Sequence, residues 1–198
     1  MTLSDVEWPV LTERLAIRPA TSADGEATWR YRRTPSVAMW MTSSSADLAE
    51  FLTKFEQPDR LAKTLIIERG GVIIGDLMLA IEDAWSQSEV TEQAKVVQAE
   101  IGWCLDSAST GQGYATEAVR ELIRICFVKL KLRRLTANCF ADNVASWRLM
   151  ERVGMRRELH EVRGSLHRTE GWVDSLGYAL LAEESRDEAS KGSPSLRL

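Results

Sequence analysis

A glycine-rich stretch directly before a predicted helix is the part of this sequence that most suggests chemistry. The stretch ASTGQGYATEA runs from Ala108 to Ala118, and Gly111, Gly113 and Ala115 carry little or no side chain. The first turn of a helix has unpaired backbone N–H groups and the positive end of the helix dipole, and glycines let a phosphate approach them closely. The same residues suit a tight turn with a helix cap. The stretch matches neither GxxxxGK[ST] nor GxGxxG, so both readings stay open.

Hydrophobic periodicity predicts the elements around this stretch. Strands are predicted at 15–20 (as an edge strand), at two segments of 64–81 around a Gly70–Gly71 turn, and at 99–105, 134–140, 156–164 and 172–181. Helices are predicted at 21–34, 45–55, 114–130 and 142–153. This order predicts an α+β fold, a single domain with a mixed, mostly antiparallel seven-stranded sheet and about four helices on its faces.

Composition narrows the class of protein. The 25 Lys and Arg against 29 Asp and Glu give a net charge of −4, which argues against a nucleic-acid partner. Cys104, Cys126 and Cys139 lie in apolar runs without a CxxC pair, so we expect buried, reduced thiols and a cytoplasmic protein. The acidic N-terminus is unlike a signal peptide, and no apolar run approaches the ~18 residues that span a bilayer. No membrane partner is therefore predicted. His160 and His167 are too few for a metal site, so no metal is predicted either.

Five stretches, in order along the chain, resemble the GNAT superfamily of N-acetyltransferases. GQGYATEA resembles its acyl-CoA signature, [Q/R]-x-x-G-x-[G/A], with Gly113 and Ala115 at the last two fixed positions. The others are TERLAIRPAT, AEIGW, NVASWRLMERVGM and GWVDSLGYALLAEE, and the first and last of these resemble the branch that acetylates the N-termini of ribosomal proteins. The resemblance covers about residues 10–184. Thr110 departs from the pattern, because it stands where the family has Gln or Arg.

The resemblance implies a site for acetyl-CoA and no metal. The amides of Gln112, Gly113, Tyr114 and Ala115 would bind the pyrophosphate, and the backbone of Trp103, Cys104 and Leu105 would bind the pantetheine. Asn143 would bond the pantetheine arm, and Arg148 would reach the phosphates or the adenine. Ser146, on the same helix face as Asn143, would act as the general acid toward the leaving thiolate, although it could equally bond the backbone near the helix start.

Attack on a thioester needs a neutral amine, so a base must take its proton. Glu100, at the start of the strand before the glycine loop, is the predicted base, because a carboxylate that faces a closed cleft is suited to accept a proton. Asp174, His160 and Glu161 are the alternatives, and Asp174 could instead bind the acceptor's ammonium group. Most of the side chains of Arg30, Tyr31, Arg32 and Arg33, on the first predicted helix, are expected to be solvated surface.

The resemblance therefore implies an N-acetyltransferase that moves an acetyl group from acetyl-CoA to a primary amine by direct attack in a ternary complex. A protein N-terminal amine is the expected acceptor. A small-molecule amine (an antibiotic, a polyamine or an amino acid) and a non-catalytic acyl-CoA-binding module are the alternatives. The domain is expected to span 1–184, with a disordered tail at 185–198, and a homodimer is plausible for this branch.

Overall fold

The computed structural model describes residues 3–185, so the predicted tail lies, beyond its first residue, outside the described residues. The described residues form two compact units. The first comprises residues 3–80 together with Glu100–Leu130, and the second comprises Ile81–Ala99 and residues 131–185. None of the helices in residues 3–185 is long and apolar enough to cross a membrane.

Five strands lie wholly or mainly in the first unit. They are β1 (Val10–Leu11), β2 (Ala16–Pro19), β3 (Thr64–Arg69), β4 (Val72–Glu82) and β5 (Gln98–Leu105), in that spatial order. The pairs β1–β2, β2–β3 and β3–β4 are antiparallel. β2, predicted as an edge strand, is instead flanked by β1, with Val10 opposite Ile17. A strand of two residues has no periodicity, so the sequence could not show it.

The helices of the first unit are shorter than predicted. They are α1 (Gly25–Arg32), α2 (Pro35–Ala38), α3 (Leu48–Phe55), α4 (Pro58–Leu61) and α5 (Tyr114–Arg124). The helix predicted at 21–34 ends at Arg32, because a residue before proline disfavours helical backbone and Thr34 is extended, with ψ of 138°. The predicted end at 130 is replaced by a π-helical turn, Ile125–Lys129.

The second unit contains β6 (Arg134–Phe140), α6 (Val144–Arg152), β7 (Arg156–His167) and β8 (Gly171–Leu181). β8 lies between β6 and β7 and is antiparallel to both. The chain between β4 and β5 contains a 3₁₀ segment, Ser88–Ala94. Residues 3–185 thus hold eight strands rather than seven, and four helices of eight residues or more. The α+β class is as predicted.

The core of the first unit contains the helix that follows the glycine loop. In β3, Leu65, Ile66 and Ile67 are all fully buried, so this strand is covered on both faces, as its continuous apolar run indicates. On α5, Val119 and Leu122 are also fully buried. The glycine loop before α5 is therefore anchored to a helix whose apolar stripe is held in the core.

The N-terminus of α3 offers a stability prediction. The Asp47 carboxylate accepts a hydrogen bond of 2.9 Å from the Glu50 N–H and caps the helix. Asp47→Ala should lower the free energy of unfolding by about 1 kcal/mol, because that N–H loses its acceptor. Urea denaturation measures the change. The control is Asp59→Ala in α4, a surface change that should stay within about 0.5 kcal/mol of the wild type. Equal losses in the two variants would contradict the capping role.

Candidate functional site

The loop between β5 and α5 takes the shape that its two glycines allow. A 3₁₀ turn at Ser107–Ser109 leads into it, and Gly113 is the N-cap of α5. Gly111 has a φ of 75° and Gly113 a φ of 82°, in the left-handed region that side chains rarely adopt. Gly111 and Gly113 therefore serve a tight turn.

The same turn leaves four donors without protein acceptors. Within residues 3–185, no hydrogen bond occupies the backbone N–H groups of Gln112, Gly113, Tyr114 and Ala115. Gly111, Gln112 and Gly113 are exposed, and a Cβ built at Gly111 would have nothing within 4 Å. N–H groups without an acceptor at the start of an 11-residue helix suit an oxyanion, so the loop fits the pyrophosphate predicted for it.

Arg14 holds this loop in place, a role that sequence reasoning missed. Its Nη1 donates to the Gln112 carbonyl oxygen at 3.0 Å, and its Nε and Nη2 bond the Glu117 carboxylate at 2.7 and 2.6 Å. Burial raises the pKa of Glu117, but hydrogen bonds from Thr12 and Arg14 outweigh it and hold that pKa below its usual range. The loop and the first turn of α5 are thus tied to the chain before β2.

Two arginines flank the aromatic ring that follows the glycines. The guanidinium carbons of Arg14 and Arg69 lie 4.7 and 5.1 Å from the Tyr114 ring centroid. Thr110, which replaces the family's Gln or Arg, instead donates its hydroxyl to the Ser107 carbonyl oxygen at 2.8 Å. Positive charge is therefore present beside the loop, although Thr110 does not supply it.

Strand β5 carries the predicted base and the predicted pantetheine-binding backbone. Glu100 is half-buried between fully or almost fully buried Ala99 and Ile101, which is the alternation expected of it. Trp103 and Leu105 are half-buried and Cys104 is buried. Burial, reinforced by the nearby Asp76 carboxylate, raises the pKa of the Cys104 thiol well above its usual range. That thiol is a poor nucleophile, which suits direct attack by the amine.

A buried ionic cluster joins α1 to β4 and corrects the prediction of solvated side chains for Tyr31 and Arg32, since Tyr31 is buried. Arg32 is not solvated surface, because its side chain is only 11% exposed and forms a bidentate pair with the buried Asp76. The Tyr31 hydroxyl donates to the same carboxylate at 2.5 Å. On the other side, a Cβ on Gly75 would lie 2.4 Å from the Cys104 carbonyl oxygen, so this glycine permits close approach of β4 to β5.

In the second unit, Asn143 and Ser146 meet at the start of α6. The Asn143 Oδ1 accepts from the Ser146 N–H at 3.3 Å and caps the helix, so its amide nitrogen is the group that could donate to a ligand. The Ser146 side chain hydrogen-bonds Cys139, whose pKa burial raises to about 11 despite that bond. Arg148 is exposed, with its guanidinium 5.5 Å from the Trp147 ring.

Asp174 is held by two donors in the second unit. Its Oδ2 lies 2.7 Å from His160 Nε2, and its Oδ1 accepts from the Arg163 N–H at 2.9 Å. These bonds hold its pKa below the usual range of a carboxyl group. Glu161 accepts from the Ser175 hydroxyl at 2.9 Å. The Asp174 carbonyl oxygen accepts a hydrogen bond of 2.9 Å from the Ala141 N–H just before α6, so Asp174 lies on the β8 segment near Asn143.

Comparisons with known proteins agree on the family. The acetyltransferase (GNAT) domain matches residues 14–156. An uncharacterized N-acetyltransferase of Bacillus subtilis, YnaD, is 26% identical over 178 residues, which cover 88% of this chain and 98% of that one. The crystal structure of a GNAT acetyltransferase from Bacillus anthracis superposes with a TM-score of 0.73 at 27% identity, covering 88% of this chain and 98% of that one.

A third relative has coenzyme A bound. RimL, a ribosomal L7/L12 α-N-protein acetyltransferase in complex with coenzyme A, superposes with a TM-score of 0.74 at 19% identity, covering 88% of this chain and 98% of that one. These likenesses confirm the predicted GNAT-like α+β fold, with eight strands in place of seven. The chain belongs to the GNAT acetyltransferase family and is an acetyl-CoA-dependent acyltransferase.

Proposed function

We propose that this enzyme transfers the acetyl group of acetyl-CoA to a protein N-terminal amine, by direct attack of the amine in a ternary complex. The observation that carries the proposal is the glycine loop, where four N–H groups at the start of α5 have no acceptor among the described residues. Arg69 beside Tyr114 adds positive charge, whereas the charge of Arg14 is matched by Glu117, so Arg69 supports pyrophosphate binding where Thr110 replaces the family's side chain.

Further residues are proposed to bind the rest of acetyl-CoA. The backbone of Trp103, Cys104 and Leu105 binds the pantetheine, and the Asn143 amide nitrogen, which the helix cap leaves available, donates to it. Arg148 is exposed on α6 and binds the phosphates or the adenine. The bound thioester supplies the acetyl group. The residues of the chain bind acetyl-CoA and transfer the protons.

Glu100 is the proposed base. It accepts a proton from the attacking amine, directly or through a water, while the C–N bond forms and the C–S bond breaks. Asp174 fits this role less well, because the hydrogen bonds from the Arg163 N–H and His160 lower its pKa and weaken it as a base. Asp174 is assigned instead to the acceptor's ammonium group. Ser146 gives a proton to the leaving thiolate.

The acceptor proposal rests on the branch that the chain's first and last matching stretches resemble, and on RimL, which acetylates a ribosomal protein α-amine. The alternatives are a small-molecule amine and a non-catalytic acyl-CoA-binding module. We further propose that the catalytic domain spans 1–184, that the protein is cytoplasmic, in keeping with its three free cysteines, and that it forms a homodimer.

Acetyl transfer to matched amines tests the proposal. The purified chain, with acetyl-CoA, should acetylate a free N-terminal peptide at least tenfold faster, by kcat/KM, than the same peptide blocked at its N-terminus but carrying a lysine. Mass spectrometry locates the acetyl group, and thiol release gives the rate. Faster transfer to spermidine or to an aminoglycoside would make a small molecule the acceptor. Binding of acetyl-CoA without acetylation of any amine would favour the alternative of a non-catalytic acyl-CoA-binding module.

A further inference from the structure

A cavity of about 580 Å³ lies in the first unit, away from the glycine loop in sequence. Its walls come from α1, α2, α3, α4 and the serine-rich segment 43–46, and Trp29, Phe51 and Phe55 form an aromatic side. The Trp29 and Phe51 ring centroids are 5.3 Å apart. A cavity of this volume with an aromatic wall and a few polar groups has the character of a small-ligand site.

The charged residues that line the cavity are all cationic. They are Arg32, Arg33, Lys54 and Arg60, and no carboxylate of the described residues is among the lining groups. Two have counterions, because Arg32 pairs with Asp76 and Lys54 lies 2.6 Å from Glu50. The cavity therefore keeps a surplus of positive charge.

Arg33 and Arg60 are the lining cations without an ion pair among the described residues, and Arg33 is exposed whereas Arg60 is more buried. Arg60 is half-buried, and within residues 3–185 no hydrogen bond or ion pair reaches its guanidinium. Burial, and then the neighbouring Arg32, lower the pKa of Arg60 below its usual range, and the opposing attraction of Asp76 and Asp59 does not offset them. A partly buried cation with no carboxylate bonded to it is unfavourable, and a bound anion would relieve the cost. A guanidinium also bonds carboxylates through two parallel hydrogen bonds.

One side chain, Arg32, links the cavity to strand β5 through Asp76. Arg32 lines the cavity and bonds Asp76, and the Asp76 carboxylate raises the pKa of Cys104 in β5. Cys104 is among the residues assigned to the pantetheine, and Glu100 lies on the same strand. The cavity wall is thus one ion pair away from the strand proposed to carry out the transfer.

We propose that this cavity binds a carboxylate of the acceptor, so that the preferred substrate is a peptide with an acidic side chain close to its N-terminal amine. The inference rests on the proposed function and names the substrate class within it. Arg60 takes the carboxylate, and the Trp29–Phe51 side packs against the neighbouring apolar residue. The net charge of −4 on the chain makes this cationic cavity a local feature rather than part of a basic surface.

Two peptides of equal length test this. Ala-Glu-Glu-Phe and Ala-Gln-Gln-Phe differ only in charge, and the wild type should use the acidic peptide about 10- to 30-fold better by kcat/KM. Arg60→Met, which keeps the apolar stem, should reduce that ratio to about 1–3. Arg30→Met is the matched control, because Arg30 is an exposed arginine of α1 that does not line the cavity, and it should keep the wild-type ratio.

A binding measurement separates the two proposals. Titration of each peptide into the coenzyme A complex should give a tighter Kd for the acidic peptide, and Arg60→Met should abolish the difference whether or not turnover occurs. Acetylation of both peptides at equal rates, or a ratio unchanged in Arg60→Met, would overturn the cavity assignment and leave the proposed function intact. A preference for Ala-Glu-Glu-Phe in binding, without acetylation of any amine, would support the cavity and overturn the function. Arg60→Met should unfold at or above the wild-type urea midpoint, because it removes a partly buried charge, and a midpoint that is not lowered shows that a lost ratio does not come from lost folding.

Discussion

Gly113→Val should weaken the binding of acetyl-CoA about 100-fold, which corresponds to about 2.7 kcal/mol. Gly113 has a φ of 82°, and a β-branched residue is strongly disfavoured there. Valine would push the backbone toward negative φ and rotate the N–H groups that follow it. It would also place methyl groups where a phosphate must approach. Isothermal titration with acetyl-CoA measures the loss.

The β3–β4 turn offers a control with the same strain and no ligand. Gly71 has a φ of 78°, and a Cβ there would have nothing within 4 Å, so Gly71→Val imposes a comparable backbone cost. That cost is roughly 1–2 kcal/mol of unfolding free energy in each variant. Gly71→Val should bind acetyl-CoA as the wild type does. If Gly113→Val also bound at wild-type strength, the glycines would serve only the turn and the pyrophosphate assignment would be lost.

The sequence predicted the helix and strand order well where a segment had its own periodicity. β6 was predicted at its observed bounds. The turn at Gly70–Gly71 was predicted because two adjacent glycines between apolar runs are typical of a tight turn, and both have a positive φ in the structure. The boundaries that failed were set by single residues. Pro35 imposes an extended backbone on Thr34 and so ends the first predicted helix early. Hydrophobic periodicity is averaged over many residues and does not show the effect of a single proline.

The candidate site divides along a similar line. Backbone-mediated features were predictable, because Gly111 and Gly113 report a backbone shape directly. Side-chain partnerships were not, since the residues that meet are far apart in sequence. Arg14 bonds Glu117 and Arg32 bonds Asp76 across 103 and 44 positions. Arg32 read as solvated surface because its carboxylate partner lies in another strand. Arg60 drew no attention at all, because an unpaired arginine becomes notable only once its cavity is known.

Glu100→Gln should lower kcat about 100- to 1000-fold at pH 7 and leave the KM for acetyl-CoA close to the wild-type value. Glutamine keeps the shape and the polar contacts of the side chain but cannot accept a proton, and general-base catalysis is worth about 10²–10⁴ in rate. Glu92→Gln is the control, because Glu92 is a carboxylate with an 83% exposed side chain on the 3₁₀ segment, and its kcat should not change.

The pH dependence distinguishes a base from a residue that only supports the fold. A peptide α-amine has a pKa of about 7.7–8.0, so at pH 7 most of it is protonated and the enzyme must remove the proton. Above pH 8 the amine is largely neutral before it binds, and less of the rate depends on the base. The deficit of Glu100→Gln should therefore shrink as the pH rises from 7 to 9. A deficit that stayed constant across this range would assign Glu100 a positioning role, and a variant with wild-type kcat at pH 7 would remove it from the proton transfer altogether.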